Sequence, residues 1–420
     1  MDGTPRVLRP NRAQLELRPT DLESLLPEDH RARAVWEFVE GLDLSALYEE
    51  IRSIEGHAGR PAIDPSILMA LWLYATVEGV GSARALARLC EQHDAYRWIC
   101  GGVSVNAHTL SDFRVGHEKV LDELLTQSVA RLMEVGLVEL RRVAQDGMRV
   151  RASAGAASFR RRHRLRECLK EARRQVEQLR CELDEDPAAT SRREAAARLR
   201  AATDRQSRVK RALAEMPSAE AKKACDEKDQ ARVSTTDPEA RVMRMADGGY
   251  RPAYNVQFAT DPATQVIVGV EVTQEGSDQG QLEPMLDQIE ERYEAAASEA
   301  LVDGGFVSLE TVERMAARGC RLYAPVPKPR DPDRKPDRPL PDDSRPVAAW
   351  RRRMAGKPAK AIYKLRASTS ECVNAIARNR GLHQLGVRGR RKVRAISLWF
   401  AIAHDMMREI GLRQTAAETG

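Results

Sequence analysis

The segment PAKAIYKLRASTSECVNAIARNRG, residues 358–381, has the signals of one uninterrupted helix. Pro358 suits a first helical turn and Gly381 suits the exit. At about 100° per residue, polar residues collect on one side of this helix and apolar residues on the other. The polar side holds Tyr363, Arg366, Glu371, Asn374 and Arg378. The apolar side holds Ile362, Leu365, Cys372, Val373 and Ile376. A solvated face with incidental salt bridges would give the same pattern, so its meaning depends on acids elsewhere in the chain.

Two further acids stand within or at the end of predicted strands. Residues 140–152 have the pattern of a strand with Asp146 in its middle, although Asp146-Gly147 is also the commonest signal for a tight hairpin turn. Residues 299–303 form a short apolar run that ends in Asp303 and is followed by two glycines. Such strand ends are where α/β sheets place their chemistry. Both acids are therefore candidates to join Glu371 in one site.

The predicted elements follow one another in an informative order. Residues 156–240 contain two amphipathic helices on either side of Pro187, which predicts a helical hairpin inserted into a strand-rich region. Without this insertion the order is strand, two-stranded hairpin, helix, strand, helix, strand, helix. This order is typical of an RNase H-like α/β fold, which has acids on its first strand, after its fourth strand and on a late helix. The acids at these three places are Asp146, Asp303 and Glu371, in that order.

The region before the first strand has helical periodicity in short pieces. Helices at 82–91 and 106–115 fit a helix-turn-helix variant whose second helix presents four residues to DNA, namely His108, Ser111, Asp112 and Arg114. The connection is longer than the usual turn, so a plain helical bundle is the alternative. The predicted domains are a flexible arm at 1–30, a helical DNA-binding domain at 31–138, a catalytic domain at 139–411 interrupted by the insertion at 156–240, and a tail at 412–420.

The composition is mildly basic and its arginines are clustered. The 420 residues include 68 Lys and Arg against 62 Asp and Glu, and arginine clusters at 160–166, 351–353 and 388–394 favour a polyanionic partner. The seven cysteines form no C-x-x-C pair, so neither a zinc site nor a disulfide framework is predicted. The chain opens without an apolar leader region, and no run reaches the ~18 apolar residues of a membrane span. We expect a cytoplasmic protein associated with the nucleoid.

Four segments of the chain are informative as an ordered set. They are AQDGMRVRA at 144–152, DGGYRPAYNVQ at 247–257, ALVDGGF at 300–306 and YKLRASTSE at 363–371. Together with the helical region before them, they resemble bacterial insertion-sequence transposases of the DDE type over about residues 30–411. The resemblance implies that Asp146, Asp303 and Glu371 bind metal ions. It also implies that Tyr363 and Arg366 contact DNA near the point of cleavage. Two departures from the family pattern are an extra residue between Arg366 and Glu371, and Arg378 where a DNA-contacting lysine is usual.

The chemistry of phosphodiester cleavage agrees with this acid set. Two divalent cations about 3.5–4 Å apart activate a nucleophile and neutralise the scissile phosphate, and carboxylate oxygens are the ligands that Mg²⁺ prefers. We therefore expect two Mg²⁺ ions, with Mn²⁺ as a substitute. The hypothesis is a transposase that binds its element's terminal inverted repeats as a homodimer, cleaves double-stranded DNA and joins the 3′-OH ends to target DNA. The alternatives are an RNase H-like nuclease or resolvase without strand transfer, and a catalytically idle DNA-binding protein.

Overall fold

The strands form one mixed sheet and one small strand pair. A computed structural model describes residues 21–53, 61–185, 192–327 and 338–419 of the chain. Within these residues the strands are β1 (Arg142–Arg151), β2 (Phe159–Arg160), β3 (Val233–Ser234), β4 (Arg241–Arg244), β5 (Tyr250–Thr260), β6 (Ile267–Thr273), β7 (Glu299–Leu301) and β8 (Arg321–Tyr323). The main sheet has the order β4-β5-β1-β7-β8, with β6 also pairing with β5. Strand β1 is antiparallel to β5 and parallel to β7, which is parallel to β8.

This arrangement confirms a mixed α/β architecture and fits the predicted RNase H-like fold. The predicted first strand lies at the centre of the sheet, with the predicted hairpin, β5 and β6, on one side of it and the two short later strands on the other. Strand β5 is buried along most of its length, and the polar residues Asn255 and Gln257 alternate with its apolar ones.

The helices flank this sheet and form the region before it. Those of the described residues are α1 (Arg31–Glu40), α2 (Ser45–Glu49), α3 (Pro65–Val77), α4 (Ala83–Gln92), α5 (Asp94–Cys100), α6 (Ala107–Gly116), α7 (Glu118–Glu134), α8 (Arg162–Glu185), α9 (Arg192–Ala221), α10 (Leu282–Tyr293), α11 (Leu309–Ala317), α12 (Arg345–Ala355), α13 (Lys357–Arg366), α14 (Cys372–Asn379) and α15 (Arg390–Thr419). A π-helical segment, Ala367–Glu371, joins α13 to α14. None of the described helices is long and apolar enough to span a membrane.

The N-terminal helices share their hydrophobic core with the sheet. Helix α15 packs against α3, α6 and α7 on one side and against β6 on the other, so one cluster of buried side chains extends from Leu26 through the sheet to Met406. Helix α3 is buried on nearly all sides. The predicted boundary at residue 138 therefore marks a change of element type within a continuous core.

The connection between the two predicted DNA-reading helices is itself a helix. Residues 94–100 form α5, which His93 caps through its side chain and which Gly101 ends in the left-handed region at φ 55°. Burial of Tyr96, Ile99 and Cys100 at helical spacing explains why this segment is helical. The connection of the predicted helix-turn-helix variant is therefore a short helix rather than a turn, and both that variant and the plain helical bundle stay predictions.

The insertion and the chain ends follow the prediction in part. Helices α8 and α9 pack along each other and β2 pairs with β3 at their base, as expected for a helical hairpin. The turn around Pro187 lies outside the described residues, as do residues 1–20 of the predicted arm. Helix α15 continues to Thr419, past the start of the predicted tail at 412. Helix α12 was not predicted, and its start is preceded by Asp343, which pairs with Arg351 at 2.8 Å.

Candidate active site

Asp146 lies in the middle of β1, where continuous pairing to β5 holds its backbone. Asp146 is opposite Phe258, and Gly147 is opposite Gln257. The alternative of a hairpin turn at Asp146-Gly147 is therefore wrong. A Cβ atom on Gly147 would collide with Asp278 Oδ1 and with the side chain of Gln257. The glycine serves close packing against a buried side chain rather than a turn.

The register of the parallel strands places Asp303 beside Asp146. Ala144 of β1 is opposite Leu301 of β7, so the two aspartates, each two residues further on, reach the same level. Neighbouring strands lie about 4.8 Å apart, and directly opposite residues face the same side of a sheet. The Oδ1 atom of Asp303 accepts a hydrogen bond of 2.8 Å from the Gly305 backbone N–H, which fixes the carboxylate after the strand end.

The late helix brings Glu371 towards this pair through Arg366. Arg366 Nη2 donates to Glu371 Oε1 at 2.7 Å, and Arg366 Nη1 lies 3.6 Å from Asp146 Oδ2. Asn374, one turn after Glu371, donates from Nδ2 to the same Asp146 oxygen at 3.0 Å. Two acids that are 225 positions apart in the chain thus contact one guanidinium.

The sequence predicted one uniform α-helix around Glu371. The structure instead has an irregular helix there. The five residues Ala367–Glu371 have π-helical geometry, in which backbone hydrogen bonds join residues five positions apart instead of the four of an α-helix. The π-helical segment accommodates the extra residue between Arg366 and Glu371, so that side chains five positions apart still meet. π-Helical segments of this kind occur frequently at functional sites.

The π-helical segment also changes which side of the helix is buried. Leu365 was predicted on the buried side but is 36% exposed. Asn374 was predicted on the polar side but is 3% exposed, and Thr369 and Ser370 are buried as well. The prediction assumed a constant 100° per residue, and the wider turn breaks that phase.

Burial dominates the electrostatics of Asp146. Burial raises the pKa of its carboxyl group to about 6, the nearby Arg366 guanidinium opposes this rise, and the carboxylates of Asp303 and Asp278 add to it. The pKa thus reflects a carboxylate that lies in a partly dry site next to other acids. An anion in such a place is stabilised by a bound cation.

Asp278 was missed by sequence reasoning and belongs to this group of acids. It is 4% exposed, and its Oδ1 atom accepts hydrogen bonds of 2.7 Å from the side-chain amides of Asn255 and Gln257. Its Oδ2 atom lies 2.6 Å from Arg149 Nη2. The available signal was the pair of polar residues at alternate positions of β5, Asn255 and Gln257, since polar side chains on a buried strand need a buried partner.

The donor atoms fit hard divalent cations. The predicted ligands Asp146, Asp303 and Glu371 supply only carboxylate oxygens, and the buried Asn374 Oδ1 atom beside them has no hydrogen-bond partner. Within the described ranges, however, no three His, Cys, Asp or Glu side chains are gathered as ligands around one point. In this geometry the Arg366 guanidinium, rather than a third carboxylate, is the group that contacts both Asp146 and Glu371.

The residues predicted to contact DNA are in different environments. Tyr363 is half-buried beside Arg366, whose guanidinium carbon is 6.0 Å from the ring centre. Arg378 is exposed and faces a cavity next to Gly147. Arg114 is turned inward: its guanidinium stacks on Trp72 at 4.4 Å and donates to the Gly81 carbonyl. Burial lowers the pKa of Arg114 to about 10, and this orientation does not support its predicted contact with DNA.

Comparison with known families gives two matches along the chain. A family model described as a transposase domain matches residues 20–116, and a model of the transposase DDE domain matches residues 223–404. The chain belongs to the DDE transposases. The second match includes Asp303 and Glu371 of this transposase, whereas Asp146 lies between the two matched regions. Searches of curated proteins and of solved structures return no match.

Family membership makes the transposase a nuclease-type enzyme that acts on DNA, and the mixed sheet agrees with the RNase H-like fold of the DDE domain. DDE transposases generally use divalent metal ions. The predicted acids lie at the sheet centre, after the neighbouring strand and on the late helix.

Proposed function

We propose that the transposase binds the ends of its insertion element, cleaves the DNA by hydrolysis and joins the freed 3′-OH ends to target DNA. In this proposal Asp146, Asp303 and Glu371 hold two divalent ions, Mg²⁺ or Mn²⁺. The supporting observation is the register that aligns Asp146 with Asp303, combined with the Arg366 guanidinium that links Asp146 to Glu371. The contribution of divalent ions in carboxylate sites is to neutralise the scissile phosphate and to activate the attacking oxygen.

Arg366 has two roles in this proposal. Without cations, its guanidinium neutralises Asp146 and Glu371 and keeps them from repelling each other. When these carboxylates hold cations instead, the guanidinium is free to bind a phosphate, for which its planar set of donors is well suited. The Arg366 side chain is 13% exposed, so it acts close to the scissile bond rather than on the outer surface.

In this proposal the residues that contact double-stranded DNA lie on the side of the molecule that carries the three acids. Tyr363 and Arg366 lie next to the acids, and the exposed Arg378 lies two turns after Glu371 on the same helix. Joining two element ends requires both to be held at once, for which a homodimer on the DNA is the simplest arrangement.

The proposed function is tested by substituting one proposed ligand and, as a matched control, one acid elsewhere on the surface. Wild-type protein, Glu371→Gln and Glu291→Gln are incubated with labelled element-end DNA, a target plasmid and Mg²⁺. Glu291 is an exposed acid on α10, on a different element from the three proposed ligands. We expect wild type and Glu291→Gln to cut and join, and Glu371→Gln to bind the end DNA without cutting it. Cutting by Glu371→Gln at the wild-type rate would exclude Glu371 as a ligand.

The same assay separates the two alternative functions. An RNase H-like nuclease without strand transfer would release cut ends but no joined product. A catalytically idle DNA-binding protein would bind without any metal-dependent nicking. Joined product that depends on Mg²⁺ and on Glu371 supports the transposase reaction against both.

A further inference from the structure

Two adjacent cavities form a trough that starts beside Asp146. The first has a volume of about 570 Å³, and its lining includes Gly147, the residue after Asp146. The second has a volume of about 580 Å³. Both are lined by Arg151 and Arg251, so they are continuous along the rim where β1 meets the β4–β5 hairpin.

The trough is strongly cationic. Its lining includes six arginines and one acid, Asp247; the arginines are Arg149, Arg151, Arg244, Arg251, Arg378 and Arg388. Arg149 and Arg251 are neutralised by Asp278 and Asp247. Within the described parts of the chain, the side chains of Arg151, Arg244 and Arg378 are exposed and form no ion pair or hydrogen bond. Three uncompensated cations that converge on one trough are suited to a chain of phosphates.

An exposed aromatic ring lies at the far end of the trough. Tyr250 lines the second cavity and is 71% exposed, the largest exposure among the exposed large hydrophobic residues of the described chain. Its hairpin is well ordered by local bonds: Met245 N–H donates to the Gly249 carbonyl at 2.8 Å, and Asp247 accepts from the Gly249 N–H at 3.0 Å. A solvent-facing ring on a hydrogen-bonded hairpin beside a cationic trough matches the design of sites that bind single strands, where bases stack on aromatic side chains.

We infer that this trough binds an unpaired DNA strand, with Arg151, Arg244 and Arg378 contacting the phosphates and Tyr250 stacking on a base. The inference rests on the proposed function, because the strand in question is the one that lies at Asp146 during cleavage. It adds a single-strand site that extends away from the acids along β1 and the β4–β5 hairpin, to which the helix with Glu371 contributes Arg378. A duplex is a poorer occupant, since its stacked bases leave nothing for Tyr250 to stack on.

The test measures binding of labelled oligo(dT) of 20 nucleotides and of a 20-base-pair duplex by fluorescence anisotropy, in EDTA so that no cleavage takes place. The variants are Arg151→Gln/Arg244→Gln, Tyr250→Ala and Tyr250→Phe, all in the full chain. Arg345→Gln is the control, because Arg345 is an exposed arginine at the start of α12, which packs beside β8 at the opposite edge of the sheet.

We expect the double arginine variant to lower the salt dependence of oligo(dT) binding by about 0.7 in slope for each lost phosphate contact, or about 1.4 in all. Tyr250→Ala should weaken oligo(dT) binding by about tenfold, whereas Tyr250→Phe and Arg345→Gln should leave it unchanged. Unchanged oligo(dT) binding in the double variant would overturn the inference. An equal loss of duplex and oligo(dT) binding would also overturn it, by showing a duplex surface.

Failure of this inference is distinguishable from failure of the proposed function. Glu371→Gln should bind oligo(dT) as wild type does, because Glu371 does not line the trough. If Glu371→Gln loses cleavage while the trough variants bind normally, the trough assignment alone is wrong. If Glu371→Gln still cuts, the catalytic assignment is wrong whatever the trough binds.

Discussion

Asp146 and Asp303 are positioned by the sheet, whereas Glu371 is positioned by a helix with an irregular turn. The aspartates are aligned by backbone pairing of β1 with β7, and β1 is also paired along its length with β5. Glu371 is exposed, ends a π-helical segment and is held by the side chain of Arg366. Backbone pairing fixes a residue more firmly than a side-chain ion pair does, so the two sides of the site should differ in rigidity.

The strand side of the site, Asp146 and Asp303, and the helix side, Glu371, therefore contribute differently to the proposed centre. In the proposed site the strand side supplies a fixed pair of carboxylates, next to the buried Asp278, whose charge raises the pKa of Asp146. In the proposed site the helix side supplies the carboxylate of Glu371, which is held by its ion pair with Arg366. A site that closes only when cations and DNA replace the Arg366 contacts would be protected from cutting DNA prematurely. The predictions that follow perturb one side at a time.

The largest effect is expected from Gly147→Ala on the strand side. The added methyl group would collide with Asp278 and Gln257, which are buried and cannot swing into solvent. We expect a loss of about 3 kcal/mol in the free energy of unfolding, measured by urea denaturation. Gly155→Ala is the control, because nothing lies within 4 Å of its Cβ position and its φ of −87° suits alanine. Equal stability of the two variants would show that Asp278 does not pack against the strand as described.

On the helix side, deleting one residue before Glu371 should cost much less stability than deleting one residue after it. Deleting Ala367 removes the extra residue of the π-helical segment and leaves a regular α-helix, so the cost should stay below about 1 kcal/mol. Deleting Ala375 rotates the end of α14 by about 100° and puts Arg378 where the buried Ala377 lies, with an expected cost of about 3 kcal/mol. Urea midpoints measure both, and similar losses would contradict the role assigned to the π-helical segment.

The packing behind the strand side should depend on pH through His404. This residue of α15 is 3% exposed, and its Nε2 atom is 2.9 Å from the Gln265 carbonyl. Burial lowers the pKa of His404 to about 4, the carbonyl contact opposes this, and Arg380 and Arg408 lower it further. Because the folded pKa is below the ordinary value of 6.5, the unfolded chain binds the proton first as the pH falls. Stability is therefore full above pH 6.5 and is lost towards pH 4, by about 2 kcal/mol between pH 8 and pH 5.

The control for this prediction is His404→Gln, which keeps a hydrogen-bond donor near Gln265 but does not titrate. Urea denaturation of both proteins at pH 8 and pH 5 gives the pH-dependent loss of stability for each. We expect the loss in the variant to be smaller by about 2 kcal/mol. An identical loss in the two proteins would mean that His404 is not held neutral in the fold.

The smallest effect is expected from Arg366→Gln. Removing the guanidinium frees Asp146 and Glu371 from a competing cation, so Mn²⁺ should bind the DNA-free protein about fivefold more tightly, or by about 1 kcal/mol. Isothermal titration calorimetry measures this affinity, with Arg345→Gln as a control that should match wild type. Weaker Mn²⁺ binding in Arg366→Gln would show that Arg366 supports the metal site instead of competing with it.

The sequence could predict the elements because their signals are local. The strand pattern at residues 140–152 and the apolar run before Asp303 each appear within a few residues, and each is present in the structure as a strand. The predicted order of strand, two-stranded hairpin, helix, strand, helix and strand is present as β1, β5–β6, α10, β7, α11 and β8.

The features that sequence reasoning missed depend on contacts between distant residues. Nothing near Asp278 indicates that it packs under Gly147, since that contact exists only when β1, β5 and the loop before α10 are assembled. The inward orientation of Arg114 follows from Trp72, 42 positions earlier in the chain. The π-helical segment was visible only as an irregular motif spacing, whose geometric meaning required the helix itself.

The most direct test of the central claim is a map of the cation site on the polypeptide. Fe²⁺ replaces Mg²⁺ in the full chain, ascorbate and peroxide generate hydroxyl radicals at the bound ion, and the cut peptides are identified by mass spectrometry. We predict cuts near residues 146, 303 and 371, all suppressed by excess Mg²⁺ and by Asp303→Asn. Cuts at only one of these three segments, or at none of them, would contradict the claim that these distant acids form one cation-binding centre.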